Sequence, residues 1–213
     1  MMKYAKRMSI LLAVLMIGAA LVAATRGDEY EADEQRMEKL NQELSQIDTT
    51  PKVGDEVVAL SDTALKVAKQ TVATARKGET LTVEQVQDNW LWVRTGQTRG
   101  WIESTAVIAP ALLAYYQRRP EGFIAQIWGG VRTKINGIAF RIETDGRRTA
   151  IETHGSGMSI KGGSMHVVIQ KAGDSVCGLS VNGKRHGQAR RGDYVFIDPS
   201  QKVFVNGRLR RPQ

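Results

Sequence analysis

Nucleophilic or acid–base chemistry in this chain of 213 residues would have to use its single cysteine, Cys177, and its three histidines, His154, His166 and His186. A cysteine thiolate beside a histidine base can attack an acyl group. The spacing shows no His-x-His, His-x-x-x-His or Cys-x-x-Cys pair, so a metal site would need ligands from distant strands. We therefore expect neither a metal ion nor a cofactor, and one cysteine cannot close a disulfide within the chain.

The surroundings of the cysteine are faintly similar to the L,D-transpeptidase signature, in which a His-Gly-Thr/Ser element precedes a Ser-x-Gly-Cys-x-Arg element. Here Thr-His-Gly-Ser ends at Ser156 and Ser-Val-Cys-Gly ends at Gly178. The resemblance implies Cys177 as nucleophile and His154 as its base. However, Val176 stands in place of the family's Gly and Leu179 in place of its Arg. We keep a cell-wall cysteine enzyme as the alternative, and expect a buried thiol and no catalysis.

Three tryptophans offer a surface for binding rather than for catalysis. In the run Trp90-Leu91-Trp92-Val93, strand alternation places the two tryptophans on the face opposite Leu91 and Val93. Exposed aromatic clusters mark binding sites, whereas large aromatics can also seal the ends of a small core. We predict a ligand-binding patch at Trp90, Trp92 and Trp101, over a core of Leu81, Val83, Leu91, Val93 and Ile102.

Basic side chains are concentrated in the second half of the chain. The formal net charge is +8, but residues 109–213 alone hold 17 basic and seven acidic residues. A solvated face is one explanation, and contact with an anionic polymer is the functional one. Few aromatics accompany these residues, so base stacking with nucleic acid is not favoured. The predicted contacts to an anionic partner are Arg147, Arg148, Lys184, Arg185, Arg190, Arg191, Arg208, Arg210 and Arg211.

The N-terminal residues have the parts of a secretory signal. Lys3, Lys6 and Arg7 precede the uncharged apolar run 8–24, which ends in small residues. We predict a signal peptide cleaved after Ala24, with an uncleaved signal anchor as the alternative. Both would carry the rest of the chain across a membrane, and membrane attachment is expected only if the segment is uncleaved.

Residues 25–50 form an acidic helix and linker in this interpretation. The run 29–47 lacks Gly and Pro, and Met37, Leu40, Leu44 and Ile47 fall on one helical stripe. That stripe could pack on the following domain or on a second copy of the chain, so self-association through residues 29–47 is one expectation. Pro51 disfavours continuation of the helix.

Residues 51–108 show short β-prone runs separated by turn formers. The succession Leu65-Lys66-Val67, then 77–83 (KGETLTV), then 89–93 (NWLWV), then 99–102 (RGWI) resembles the bacterial SH3-type domain over about residues 53–108. The resemblance implies a small barrel of five to six strands, used mainly as a binding or targeting module of exported and envelope proteins. Its only nearby loop acids are Asp62 and Asp88, so the polyproline ligand of eukaryotic members is not carried over.

The remaining residues predict a short linking helix at 109–122 and a basic β domain at 123–213. Pro110 stands near the start of the helix, and Asn-Gly or Asp-Gly pairs typical of hairpins recur at residues 136, 145, 182 and 206. The predicted fold is mainly β, with a small SH3-like barrel, a second antiparallel β sandwich or barrel, and short flanking helices.

These features together predict a non-catalytic binding or scaffold protein of the cell envelope, periplasmic or secreted. Its expected partners are a cell-wall polymer, an acidic glycan or an envelope protein.

Overall fold

A computed structural model of the chain describes residues 35–36, 38–47, 50–127, 129–146 and 148–213. The predicted signal segment and Arg147 lie outside these residues. The chain divides into two compact units, residues 1–39 and residues 40–213. In the first unit, residues 35, 36, 38 and 39 are helical. The second unit begins with the helix α1, residues 40–47, whose Leu44 is buried and whose Leu40 and Ile47 are partly buried.

The first β module is a seven-stranded antiparallel sheet with the order β3-β2-β6-β5-β4-β1-β7. Its outer strands curve onto one core, since Ala75 of β3 and Val57 of β1 pack in the same apolar cluster. Leu81, Val83, Leu91, Val93 and Ile102, the expected core residues, are all at most 1% exposed. The strands are β1 (Glu56–Ala59), β2 (Thr63–Val67), β3 (Gln70–Ala75), β4 (Thr80–Gln87), β5 (Trp90–Thr95), β6 (Thr98–Glu103) and β7 (Val107–Ile108).

A helix connects this module to the next. Helix α2 spans Pro110–Arg118, with Pro110 in the first turn, where its missing N–H costs no hydrogen bond. Leu112, Tyr115 and Tyr116 of α2 are buried in a cluster that also contains Leu44 of α1. The Tyr116 hydroxyl donates to the carbonyl of Phe140 at 3.1 Å, which ties the helix to the second β module.

The second β module is a sandwich of two sheets. One has six strands in the order β18-β17-β16-β10-β9-β8, and the other has five in the order β11-β12-β13-β14-β15. Both enclose one apolar core, which includes Phe140 from the first sheet and Ile169 from the second. The strands are β8 (Ile124–Ile127), β9 (Gly130–Ile135), β10 (Ile138–Glu143), β11 (Ala150–His154), β12 (Gly157–Gly162), β13 (Met165–Lys171), β14 (Val176–Val181), β15 (Lys184–Arg190), β16 (Tyr194–Ile197), β17 (Val203–Val205) and β18 (Arg208–Arg210).

The mainly β fold class with short flanking helices is confirmed, and two details differ from a simple meander. Strands β10 and β16 pair in parallel, with Ala139 opposite Tyr194. The chain leaves β10 at Glu143 and enters the other sheet at β11, so Asp145-Gly146 is a crossing between sheets and not a hairpin turn.

The Asp145 carboxylate at this crossing accepts hydrogen bonds from the hydroxyl and the backbone N–H of Ser164. These bonds stabilise the charged form and lower the pKa of Asp145.

The three Asn-Gly pairs form the expected turns. Asn136, Asn182 and Asn206 have φ of +54°, +48° and +50°, and the glycines that follow have φ of +71°, +76° and +75°. Two consecutive positive φ angles match the right-handed twist of a hairpin, and Asn and Gly adopt them at little cost. The turns therefore follow from local chemistry alone.

Candidate functional site

The three tryptophans lie on one face of the first β module. Leu91, Val93 and Ile102 point into the core, so Trp90, Trp92 and Trp101 point outward and are half-buried. Trp92 lies directly opposite Trp101 in the β5–β6 register, and their rings meet edge to face with centroids 5.4 Å apart. The structure therefore brings the predicted aromatic residues together.

A groove of about 430 Å³ runs between two hairpin turns beside these rings. Trp90 and Trp101 contribute the aromatic surface, the β2–β3 turn contributes Ala68 and Lys69, and the β4–β5 turn contributes Asp88. The remaining lining residues are Lys66 and Gln87. Apolar surface with a few charged groups at the rim is the usual composition of a ligand site.

The turns that border this groove hold strained backbone. Ala68, Lys69 and Asp88 have φ of +46°, +72° and +51°, the left-handed region that non-glycine residues rarely adopt. Strain of this kind concentrates at binding and active sites. Asp88 was expected only as a loop acid, and Lys66 and Lys69 were not predicted as groove residues, because the turn Ala68-Lys69 contains neither Gly nor Asn. The turn could have been predicted from the two-residue gap between the β-prone run that ends at Val67 and the run that begins at Gln70.

The opposite end of the tryptophan face carries an ion-pair cluster. Glu84 accepts hydrogen bonds from Nε of both Arg94 and Arg99, each at 2.9 Å. Arg94 and Arg99 lie opposite one another on β5 and β6. Because these side chains are partly exposed to solvent, the pairs contribute little to stability. They fix two arginines in place beside Trp92 and Trp101.

The predicted basic residues divide into separate groups, and those described are exposed. One group lies where the edge strands β15 and β18 meet: the backbone N–H of Gln213 donates to the carbonyl of Arg185 at 2.8 Å, and Nδ1 of His186 donates to the carbonyl of Arg210 at 3.1 Å. Among the described residues, no carboxylate forms an ion pair with the side chains of this basic edge, which are Lys184, Arg185, Arg210 and Arg211.

The other basic residues lie elsewhere. Arg190 is the last residue of β15, about 20 Å along the strand from Lys184. Arg191 follows it and donates to the carbonyl of Asp174. Arg208 donates to the carbonyl of Asp62 at 2.8 Å, and Arg148 precedes β11. The eight of these predicted residues that the structure describes therefore do not form one continuous patch.

The structure does not bring the cysteine and the histidine of the enzyme alternative together. Cys177 is fully buried in the sandwich core, whereas His154 is exposed on β11. The strand registers link His154 to Gly157, Gly157 to Gln170, and Gln170 to Gly178. Three strand spacings put His154 about 14 Å from the segment that holds Cys177.

The local environment also keeps the thiol protonated. Burial, followed by the charge of Glu121, raises the pKa of Cys177 to about 11, against a smaller opposing effect of Lys171.

The other two histidines have partners of their own. His166 shares a 2.9 Å hydrogen bond with the hydroxyl of Ser159. His186 is buried beneath the basic edge.

The described part of the chain holds no group of three or more His, Cys, Asp or Glu side chains placed to bind a metal ion. No helix within the described ranges has both the length and the apolar composition needed to cross a membrane.

Comparison with known proteins finds no matching family model, no matching curated protein and no matching solved structure.

Proposed function

We propose that this chain is a non-catalytic binding protein of the cell envelope, exported by its N-terminal segment. Its first β module, which resembles the bacterial SH3-type domain, docks on a wall polymer or an envelope protein through Trp90, Trp92 and Trp101. The basic residues of the second module provide contacts to anionic wall polymers. Export is supported by the basic and apolar composition of residues 1–24.

One observation carries the proposal: Trp90 and Trp101 border an open groove, with Trp92 packed against Trp101, on the face of the sheet that points away from the core. Leu91, Val93 and Ile102 fill that core with at most 1% exposure, and strand alternation places the tryptophans on the opposite face of β5 and β6. Large half-buried aromatics beside a concave surface contribute most of the binding free energy in many interfaces. The strained turns on both sides of the groove support the same conclusion.

The proposal is tested by cosedimentation of the full chain with purified cell-wall material. We expect Trp90→Ala and Trp101→Ala to weaken retention about 30-fold each, the loss typical of an interface hot spot. Val72→Ala is the matched control, because Val72 is an exposed apolar residue of the same module outside the groove, with 46% exposure. Circular dichroism spectra and melting temperatures establish that each variant is folded.

Salt separates the two kinds of contact in this experiment. Raising the salt from about 0.1 M to about 1 M screens exposed charges and should leave aromatic contacts in place. Retention at high salt that depends on Trp90 and Trp101 supports the groove. Retention that is the same for the wild type, Trp90→Ala and Trp101→Ala would rule out the tryptophan face as the docking surface.

A further inference from the structure

A second cavity, separate from the tryptophan groove, lies between the two β modules. It has a volume of about 340 Å³ and is bounded by β1, α2 and the six-stranded sheet. Its apolar wall includes Leu60, Leu113 and Tyr194, of which Leu60 and Tyr194 are buried at 6% and 8% exposure. Small-molecule sites occur preferentially at such junctions and have volumes in this range.

The charged groups lining this inter-module cleft are Lys77, Lys134 and Asp193. Both oxygens of Asp193 already accept hydrogen bonds, one from the Asn206 side chain and one from the Arg190 backbone N–H, each at 2.7 Å. These bonds hold the Asp193 side chain in place. With two lysines and one aspartate among its lining residues, the cleft carries a net positive charge and favours an anion over a cation.

The two lysines retain unused donors. Nζ of Lys77 donates to the carbonyl of Gly192 at 3.2 Å, across the junction of the modules, and Nζ of Lys134 donates to the carbonyl of Arg119 at 3.1 Å. An ammonium group has three N–H donors, so each lysine has two more to offer. No carboxylate among the described residues forms an ion pair with either lysine. The cleft thus combines an apolar wall with two ammonium groups suited to an anion.

We infer that this cleft binds a small molecule with an apolar body and a single carboxylate head. The body packs against Leu60, Leu113 and Tyr194, and the carboxylate accepts hydrogen bonds from Lys77 and Lys134. Because the ligand touches both modules, its binding holds them in one arrangement and stabilises the folded chain. The site is independent of the tryptophan groove, so either assignment can fail alone.

The test is photo-crosslinking of the full chain with a medium-chain fatty acid that carries a diazirine, followed by mapping of the modified residues by mass spectrometry. The matched probe is the alcohol of the same chain with the same diazirine. We expect the carboxylate probe to label the segments 113–117 and 192–194 about tenfold more than the alcohol does, because hydrogen bonds to charged groups are the stronger ones. Labelled peptides from the apolar segment 8–24 are counted separately from those of the cleft, because mass spectrometry assigns each label to its position in the chain.

Substitutions at the two lysines complete the test. Lys77→Gln and Lys134→Gln should each reduce labelling of the cleft by the carboxylate about tenfold and leave labelling by the alcohol unchanged. Lys66→Gln, which removes the same charge from the tryptophan groove, is the control and should have no effect. Equal labelling by both probes would overturn the assignment of a carboxylate ligand. Labelling confined to segments outside the cleft would overturn the site itself.

Discussion

The chemistry of Cys177 is set by its position in the sandwich core. Its side chain is fully buried between the two sheets, and its strand neighbours are Lys171 and Ala189. A thiol reacts as its thiolate, which a buried apolar site destabilises. With a pKa of about 11, only about one thiol in a thousand is ionised at pH 8. Cys177 therefore acts as a small core residue.

We expect Cys177 to react with iodoacetamide about 100-fold more slowly in the native chain than in the denatured chain at about pH 8. The reason is twofold, since the native thiol is both protonated and inaccessible. The measurement is the rate of alkylation followed by mass spectrometry, with and without guanidinium. A native rate within about tenfold of the denatured rate would show an accessible thiol that ionises near pH 8, and would revive the cysteine-enzyme alternative.

At the scale of single elements, the turn Asn206-Gly207 fastens the two β modules together. Thr105 donates to the carbonyl of Gly207, and Ser61 donates to the carbonyl of Asn206 at 3.1 Å. A Cβ atom on Gly207 would lie only 2.3 Å from the Cα of Ala106. Glycine is therefore required at this position both by its φ of +75° and by the close approach of the backbone.

We expect Gly207→Ala to destabilise the chain by about 2 kcal/mol more than Gly183→Ala does. Gly183 is a matched control, because it occupies the same Asn-Gly turn position at φ +76° and a Cβ there would meet nothing within 4 Å. Gly183→Ala should cost about 1 kcal/mol, the cost of the left-handed conformation alone. The measurement is urea unfolding, and equal costs for the two variants would show that the turn is not packed against the first module.

The elements that sequence reasoning predicted are those controlled by local rules. Alternation in β5 and β6 is enough to separate Trp92 from the core side chain of Leu91, and Asn-Gly chemistry is enough to place three hairpin turns. The parallel pairing of β10 with β16 joins residues more than 50 positions apart. A parallel and an antiparallel partner demand the same alternation, so the pattern could not distinguish them. The inter-module cleft was not predicted either, because its walls come from segments that are far apart in the sequence.

At the scale of the whole molecule, two apolar cores are linked by a third. Each β module has its own core, and a third cluster joins α1 and α2 to both modules through residues such as Leu60, Leu112 and Tyr194. The ion pair between Glu43 of α1 and Arg119, the residue that follows α2, adds a link at 2.9 Å. The tryptophan face and the basic edge are thus carried on one compact unit, residues 40–213.

This arrangement gives one molecule two surfaces with different dependence on salt. The first module, residues 51–108, holds seven basic and seven acidic residues, whereas residues 109–213 hold an excess of ten positive charges. Contact with a polyanion through the second module should weaken steeply with ionic strength, because exposed charges are screened within about 10 Å at 0.1 M salt. Contact through the tryptophan face should depend little on ionic strength, because it does not rely on exposed charges.

We expect the double variant Arg185→Gln/Arg210→Gln to elute from an immobilised polyanion at lower salt than the double variant Arg190→Gln/Arg191→Gln. Both remove two positive charges from exposed positions, so their net charges are equal.

Arg185 and Arg210 belong to the basic edge, where the hydrogen bonds of Gln213 and His186 hold the two strands together. Arg191 already donates to Asp174. The four cations of the basic edge bind a polyanion together because their potentials add, so removing two of them should weaken capture more than removing Arg190 and Arg191, which lie outside that edge. Equal elution would mean that net charge alone, and not the basic edge, governs capture of the polyanion.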